Sequence, residues 1–599
     1  MEVNRRQIGR GMSLSSLWSE SAGQSVNSNR NVRSTDPAGR LFWFFERFVV
    51  SATQSGHNVF PAPHPAKYVF MFNSRRLIVM LALLVGSSTT MAAEPSVVVI
   101  NRAIETAWQQ NEVAPAAECS DQELARRLYL DLAGRIPTPQ EVAAFTANES
   151  PDNLGSVVDQ LLASEDYVHH FADTFDTLLM GRTELNKYNE RRKHQWRAWL
   201  ERVFRENRPW NTVVADILAA RPDSQDDRGL VWFLYERNND HQKIAEAIAP
   251  AFFGIRIECA QCHDHMIATE IEQAHYWGLV AFFNRGTNQN TPNGPRVAES
   301  AIGGFSEFAN LEGSSTPNLL TFFQGPVVEE TRPATDEKQE DRDELYRPAS
   351  IEHEPRVPEF SRREQFVQQV VNDHPLIPRA FVNRLWAMLL GRGIVHPFDE
   401  MDSVHDPSHP ELLDTLTADF QTSGFDIRRL VRAIVLSNPY RLSSKRPDGM
   451  DDPSMFAWYL ERPLTAEQLS RSIAVALMGI DSTDDETLLP KMRQALPDVM
   501  AEESVTRIKD ALFLSNNPVL NEFIANCTQP THLIPRLQQQ TSESDLTTLL
   551  FQTIFARTAT HDEHIAVIEY LGANEAQHLD RLQQVVWAML TSAEFRFNH

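Results

Sequence analysis

The sequence predicts a mainly α-helical protein with two helical domains, joined by an irregular acidic linker that could form a small β-hairpin. Apolar residues recur three and four positions apart, as at Leu124, Leu128 and Leu132, which is the period of an amphipathic helix. Five segments also carry Ser or Thr followed three residues later by Glu or Gln, the capping-box pattern of a helix N-terminus. These five begin at Thr138, Ser361, Ser408, Thr465 and Thr560.

Length and charge narrow the classes of protein to consider. A chain of 599 residues is longer than one hydrophobic core normally supports, so at least two folded units are expected. Asp and Glu number 80 against 56 Lys and Arg, which gives a net charge of −24. Because this charge repels phosphate backbones, nucleic acid is not expected as a partner.

The N-terminal residues predict export. Residues 71–93 contain a basic pair (Arg75 and Arg76), an apolar run from Leu77 to Val85 and then small residues, which is the layout of a secretory signal peptide. The run is about half the roughly 20 residues of a membrane-spanning helix, so cleavage is favoured over a retained anchor. We expect translation to start at Met71, residues 1–70 to be a non-native or disordered extension, and the product to be periplasmic or otherwise extracytoplasmic. No transmembrane anchor is expected after cleavage.

Hydrophobic periodicity divides the rest of the chain into two helical regions and a linker. Residues 95–285 and 361–599 have helical periodicity, whereas residues 286–360 are rich in Pro, Gly, Ser, Asn and acidic side chains and are interpreted as a linker. Within the linker, Asn318–Phe323 and Pro326–Glu330 flank Gln324-Gly325 and could form the hairpin.

The two ends of this region resemble each other. Each has an Arg, then Thr-x-x-Glu, then a helix that ends at Leu-x-Ser with an aromatic residue three positions later. We interpret this as an internal duplication of a two-helix unit, with convergent capping patterns as the alternative. The equivalent residues are Arg135, Thr138, Glu141, Leu162, Ser164 and Tyr167 in the first copy and Arg557, Thr560, Glu563, Leu590, Ser592 and Phe595 in the second.

One motif points to chemistry: Cys259-Ala-Gln-Cys262-His263. In c-type haem sites two thiols at this spacing bind the haem covalently and the following histidine ligates the iron. An exported protein is also expected to meet the oxidising compartment in which such haem is attached. The sequence therefore favours haem c at Cys259, Cys262 and His263, and three alternatives stay open: a metal site, a redox-active dithiol and a structural disulfide.

For the metal alternative, the thiols together with His263 and His265 are suitable ligands for zinc or another transition metal, with Asp264 as a supporting partner. For the haem, the second axial ligand could be His265 or His275, because Met266 is too close to His263 to reach the opposite face of the ring. The iron could also be five-coordinate. His275 falls in a predicted helix from Glu270 to Phe283, where a structural or surface role is favoured over ligation.

The remaining candidates are weaker. Cys119 and Cys527 could bridge the two ends, but separate thiols are favoured. The densest polar and aromatic cluster of the C-terminal domain could be a functional pocket, although a buried packing network is favoured. Its members are Asn383, Arg384, Trp386, Arg392, Asp399 and Glu400.

Several quoted segments resemble the planctomycete cytochrome-c-like family, in which a CxxCH domain precedes a companion domain of unknown function. In the N-terminal domain they are RRLYLDLAGRIPTPQE (126–141), LLASEDY (161–167), ECAQCHDH (258–265) and YWGLVAFF (276–283). In the companion domain they are SRREQF (361–366), VNRLWAMLLGRGIV (382–395), DPSHPELLD (406–414), LVRAIVLSNPYRLSS (430–444), ALFLSNNP (511–518) and SAEFRFNH (592–599). The chain departs from the family after CHDH, where Met266-Ile267-Ala268-Thr269 replaces an aromatic and Asp-Pro pattern.

The sequence thus favours an exported haem protein with an electron-transfer or redox-associated role and an unidentified redox partner. The alternatives are a metal-dependent, non-haem periplasmic enzyme and a non-catalytic interaction protein with a structural CxxC. Whether the protein is an enzyme stays open, and no catalytic residue is assigned.

Overall fold

A computed structural model describes residues 96–182, 185–309, 313–334, 337–348, 351–482, 487–496, 500, 518–572 and 577–599. The predicted extension (1–70), the predicted signal peptide (71–93) and the segment 511–517 lie outside the described residues.

The fold is mainly α-helical, as predicted. The helices before the linker are α1 (Ser96–Gln110), α2 (Asp121–Leu128), α3 (Pro139–Ala147), α4 (Asn153–Leu162), α5 (Glu165–Met180), α6 (Leu185–Lys193), α7 (Trp196–Arg205), α8 (Trp210–Ala219), α9 (Trp232–Tyr235), α10 (His241–Ile248) and α11 (Gln273–Phe283). Those after it are α12 (Arg362–Phe366), α13 (Leu376–Leu390), α14 (Pro410–Thr422), α15 (Ile427–Val435), α16 (Ala466–Met478), α17 (Leu489–Ala495), α18 (Pro518–Asn526), α19 (Leu533–Gln538), α20 (Glu543–Ile554), α21 (His561–Gly572), α22 (His578–Thr591) and α23 (Ala593–Arg596). None of the described helices combines the length and apolar character needed to cross a membrane.

Strands are short and pair two by two, all antiparallel. The pairs are β1 (Gly286–Thr291) with β2 (Gly294–Glu299), β3 (Glu307–Ala309) with β4 (Ser315–Pro317), β5 (Tyr346–Arg347) with β6 (Val357–Pro358), and β7 (Arg462–Pro463) with β8 (Phe597–Asn598). Because β7 and β8 come from distant parts of the chain, their pairing ties residue 462 to the end of the described sequence.

The linker holds a regular hairpin that sequence analysis missed. Thr291 pairs with Gly294, so Pro292 and Asn293 form a two-residue turn between β1 and β2. Gly294 has φ +100°, a backbone conformation that favours glycine. The hairpin proposed around Gln324-Gly325 is reduced to a single antiparallel bridge between Leu320 and Val328.

Four of the five predicted capping sites are observed. Thr138 and Thr465 form complete capping boxes with Glu141 and Gln468, and Thr560 exchanges the same two hydrogen bonds with Glu563. Ser361 accepts from the Glu364 amide. The fifth prediction is wrong: Ser408 donates its hydroxyl to the Ile394 carbonyl, and α14 begins after His409.

The buried apolar residues form two cores. The larger core contains residues from Ile100 to Tyr459, and therefore side chains from both predicted domains and from the linker. Its centre includes the stacked rings of Trp210 and Phe381, which lie 4.3 Å apart between centroids. The second core runs from Leu464 to Phe595 and takes in Leu130 and Ile136. The domain limits at 285 and 361 stay a prediction.

Helix α11 is held against the linker by a close backbone approach. At Gly278 a Cβ atom would lie 2.3 Å from the Thr321 carbonyl oxygen, so any other residue would push the two segments apart. Leu279 and Phe282 on the same helix are fully buried. This packing fixes the helix that follows the CxxCH motif.

The helices expected from an internal duplication are present. Helix α3 starts directly after Thr138 and α21 directly after Thr560, and the helices that follow, α4 and α22, end at Leu162 and Thr591. The prediction of helices ending close to Ser164 and Ser592 is therefore confirmed.

Candidate functional site

The CxxCH motif lies on an exposed turn next to the C-terminal region. A 3₁₀ turn, Glu258–Gln261, carries Cys259, and Cys262 follows at its end. Both cysteines are free and exposed. The chain enters this turn through Gly254, whose carbonyl oxygen accepts a hydrogen bond of 2.8 Å from the Met401 amide. The motif is thus anchored on one side to residues of the companion region.

His263 is oriented by its own backbone. Its Nδ1 lies 2.7 Å from the Asp264 carbonyl oxygen, and only a protonated nitrogen can donate to that carbonyl. In the neutral ring the lone pair is therefore on Nε2. Among the described residues Nε2 has no hydrogen-bond partner. A histidine held through Nδ1–H in this way is prepared to bind a metal through Nε2.

The loop after the motif is fastened to the start of α11. The Asp264 carboxylate accepts from the Gln273 amide at 2.8 Å. The Gln261 carbonyl oxygen accepts from Gln273 Nε2 at 3.2 Å and from the Trp277 indole at 3.1 Å. These bonds connect the second half of the motif to a helix that is itself packed on the linker.

His265, a predicted ligand, faces the backbone of the same loop. Its Nδ1 accepts from the Ala268 amide at 2.9 Å and from the Ile267 amide at 3.4 Å. An accepting Nδ1 carries no proton, so the neutral ring is protonated on Nε2. In this tautomer neither nitrogen of His265 offers a lone pair to a metal.

His275, the other predicted ligand, has a similar structural role. Its Nδ1 accepts from the Glu272 amide at 3.0 Å and completes a capping box at the start of α11. Burial lowers the pKa of His275 from its usual value, so the ring is neutral at pH 7. The predicted helix begins at Gln273 and not at Glu270, which makes His275 a first-turn residue.

Two apolar side chains next to the motif face solvent. Met266 is 80% exposed and Ile267 is 69% exposed. They are followed by Ala268, which is fully buried. The loop thus presents apolar surface beside two free thiols.

A second group of possible metal ligands, which sequence analysis does not bring together, lies at residues 399–405 of the companion region. Ser403 donates its amide and its hydroxyl to the Glu270 carboxylate at 2.7 and 2.8 Å, which joins the motif loop to residues 399–405. In that segment His405 places Nδ1 2.8 Å from Asp402 and Nε2 3.2 Å from Glu400. The ligand atoms of these three residues lie within 4.8 Å of one another, a separation that suits a metal ion.

The spacing Glu-x-Asp-x-x-His is visible in the sequence, but of these three residues sequence analysis names only Glu400 as a candidate. Hydrogen bonds between the His405 ring and the two carboxylates account for the same distances without an ion.

The polar cluster of the companion domain separates into two parts. Asn383 and Arg384 are buried and bond backbone groups: Asn383 exchanges two hydrogen bonds of 2.9 Å with Val395, and Arg384 donates to the Pro250 and Ala251 carbonyls. Trp386 packs edge-on against Phe456. These three side chains therefore belong to a buried packing network, the interpretation that the sequence favours over a functional pocket.

The other members of the cluster are exposed to solvent to some degree. Asp399 pairs with Arg256 at 3.1 Å, and Glu400 lies 3.6 Å from the same guanidinium. Arg392 lines a cavity of about 400 Å³.

The other two cysteines are separate thiols. Cys527 is buried and donates its thiol to the Phe523 carbonyl. Burial raises the pKa of Cys119 to about 11, so that thiol is protonated and unreactive at neutral pH.

Comparison with known families gives two matches. Residues 99–288 match the family model PSCyt2, described as a protein of unknown function (DUF1549). Residues 362–503 match PSD1, also described as a protein of unknown function (DUF1553). The chain carries this pair of uncharacterised regions. The CxxCH motif falls within the first region, and the Glu400, Asp402 and His405 group within the second. No curated protein and no solved structure matches the chain.

Proposed function

We propose that the protein is an exported c-type haem-binding protein with an electron-transfer or redox-associated role. Cys259 and Cys262 would bind the haem covalently and His263 would be the proximal ligand. The observation that carries the proposal is the state of these three side chains: two exposed free thiols, and an imidazole whose Nδ1 bonds to a carbonyl while its Nε2 has no hydrogen-bond partner among the described residues. Bound haem would supply one-electron transfer at its iron.

The surroundings of the motif fit such a group. The thiols are accessible, so attachment requires no opening of the core. Met266 and Ile267 offer apolar contact to a largely apolar ring, and would lose solvent exposure on binding. Asp264 and Gln273 fix the loop, which limits how far His263 can move.

His265 and His275 would not hold the haem in their present tautomers, because each uses Nδ1 as an acceptor for backbone amides. Cys259, Cys262 and His263 are therefore the residues that would hold it.

Export is part of the proposal and is supported by the signal-peptide pattern at residues 71–93. The resemblance of the quoted segments to the planctomycete cytochrome-c-like family supports it as well. Both point to a compartment in which haem is attached to CxxCH motifs.

A zinc site is the second candidate. Two thiolates and His263 Nε2 would match the ligand count of a catalytic Cys₂His zinc site, but the three ligand atoms do not all lie within 4.8 Å of one another, so the turn would have to close around the ion. This site would use the same three residues, so a protein cannot hold both groups at once.

One experiment separates the candidates. The protein would be produced in a host with a c-type haem attachment system, denatured, and tested for haem that stays with the chain after acid-acetone extraction. We expect attached haem in the parent and in Cys119→Ala, the matched cysteine control, and none in Cys259→Ala/Cys262→Ala. A colourless folded product with stoichiometric zinc would support the zinc candidate, and a Cys259–Cys262 disulfide would support a structural motif.

A further inference from the structure

A cavity of about 400 Å³ lies between the N-terminal region and the companion region. Its walls include His170 and Thr174 from α5, the end of α13 and the segment from Gly391 to Phe398, and residues 460–465. None of Cys259, Cys262 and His263 lines it. The volume falls in the range of small-molecule sites, about 300–1,000 Å³.

The walls are mostly apolar, with charged groups at a few points. Met388, Leu389, Phe398, Leu460 and Leu464 contribute apolar side chains. A cavity in which apolar side chains stand beside polar and charged ones suits an organic molecule with an apolar body and a charged head.

One acidic residue of the cavity wall, Asp131, already forms an ion pair within the protein. Asp131 is buried and accepts hydrogen bonds from Arg462 at 2.9 Å, Tyr440 at 2.8 Å and Asn598 at 2.8 Å. Its negative charge is thus balanced by Arg462. It adds no net charge to the cavity.

Arg392 contributes a positive charge to the cavity wall, and Asp452 is close enough to act on that charge. Among the described residues it makes no hydrogen bond and no ion pair. Burial lowers its pKa, an effect that Asp452 opposes, yet a guanidinium stays protonated at neutral pH. His396, a second lining residue, is also without a hydrogen-bond partner among described residues, while the exposed Glu461 stands at the cavity's edge.

Close packing at Gly391 and Gly393 fixes the backbone on both sides of Arg392. Gly391 has φ +81°, and a Cβ there would lie 2.8 Å from Leu460. At Gly393 a Cβ would lie 2.2 Å from the Val395 carbonyl oxygen. Asn383 holds Val395 through two hydrogen bonds. Together these contacts fix the segment that carries the Arg392 guanidinium.

We propose that this cavity binds a small organic anion, with an apolar body against Met388, Phe398 and Leu464 and its oxyanion head on Arg392. Carboxylates and sulfate esters share this chemistry, and a guanidinium binds either through paired N–H donors. The site is independent of the proposed haem motif.

The test measures binding of three octyl compounds to the full-length protein by isothermal titration calorimetry. Octanoate and octyl sulfate carry the two candidate heads, and 1-octanol has the same chain without charge. We expect at least one anion to bind at least about tenfold more tightly than 1-octanol, and Arg392→Gln to weaken that anion about tenfold, or about 1.4 kcal/mol. Arg392→Lys should retain part of the affinity.

The matched control is Arg379→Gln, which removes one charge from the other end of α13, where Arg379 pairs with Asp414. It should leave anion binding unchanged. Circular dichroism would check that all variants are folded. Equal affinity for 1-octanol, an unchanged affinity in folded Arg392→Gln, or no binding of either anion would each overturn the proposal.

Discussion

Arg135 and Arg557 make the same hydrogen bonds at two distant points of the chain. Arg135 binds both oxygens of Glu141 at 2.9 Å, and Arg557 binds both oxygens of Glu563 at 2.8 and 2.9 Å. Each arginine also donates through NH1 to the carbonyl of the next residue, at 3.1 and 3.0 Å. The likeness thus extends from the sequence to the orientation of the guanidinium.

The second partner of each arginine matches too. Arg135 Nε donates to Asp166 at 2.8 Å and Arg557 Nε donates to Glu594 at 2.5 Å. These acids stand two residues after Ser164 and Ser592, each of which caps the following helix. Shared helices, caps and ion pairs support an internal duplication over independent capping patterns.

The first prediction concerns how much the hydrogen bonds of Arg135 and Arg557 contribute to the stability of the fold. Lysine cannot bind a carboxylate in two places and donate to two further groups, so Arg135→Lys should destabilise the fold by about 2 kcal/mol. Arg557→Lys should cost less, because the Arg557 side chain is 29% exposed against 5% for Arg135. Urea denaturation followed by circular dichroism would measure both. Arg379→Lys, at an exposed ion pair, is the control, and an equal loss in that variant would contradict the argument.

Local signals in the sequence were sufficient for much of the fold. Thr138 and Thr465 were identified as helix starts because a capping box depends on four consecutive residues. The prediction of a helix cap at Ser408 is wrong because the Ser408 hydroxyl donates to the Ile394 carbonyl. The residues next to Ser408 in the sequence give no sign of that contact. The β1–β2 hairpin was missed although Pro292, Asn293 and Gly294 are all residue types common in turns, because the surrounding polar residues were interpreted as linker.

The site was predictable only in part, for a similar reason. Spacing identified Cys259, Cys262 and His263, but the hydrogen bonds of His265 and His275 depend on the turn each one closes. Contacts such as Glu270 with Ser403 join residues 133 positions apart. No periodicity or short motif encodes such a pairing.

The second prediction concerns acid stability. Burial lowers the pKa of His170 to about 3, from about 6.5 in an unfolded chain. Between these values the unfolded state binds more protons than the folded state, so stability falls as pH decreases from 6.5 towards 3. His170→Gln should reduce this slope, measured as the urea midpoint at pH 7, 5 and 4. An unchanged slope in a folded variant would assign the acid sensitivity to other groups.

The third prediction concerns the buried Asp131–Arg462 pair. Asp131→Asn leaves the charge of the largely buried Arg462 uncompensated, and should destabilise the protein by about 2 kcal/mol. Adding Arg462→Gln removes that charge and should recover part of the loss, which a double-mutant cycle in urea would measure. Additive effects of the two substitutions would show that the pair is not coupled.

The last prediction separates the three histidines near the motif. In haem-loaded protein, His263→Ala should remove the proximal ligand and shift the visible spectrum, while the thioether links retain the haem on the chain. His265→Ala and His275→Ala should leave the spectrum unchanged, because their Nδ1 atoms bond backbone amides and their Nε2 atoms are protonated. His275→Ala should instead lower stability by about 1 kcal/mol through loss of the cap on the Glu272 amide. A spectral shift in either of the latter variants would mean that haem binding changes the tautomer and recruits that histidine as the second axial ligand.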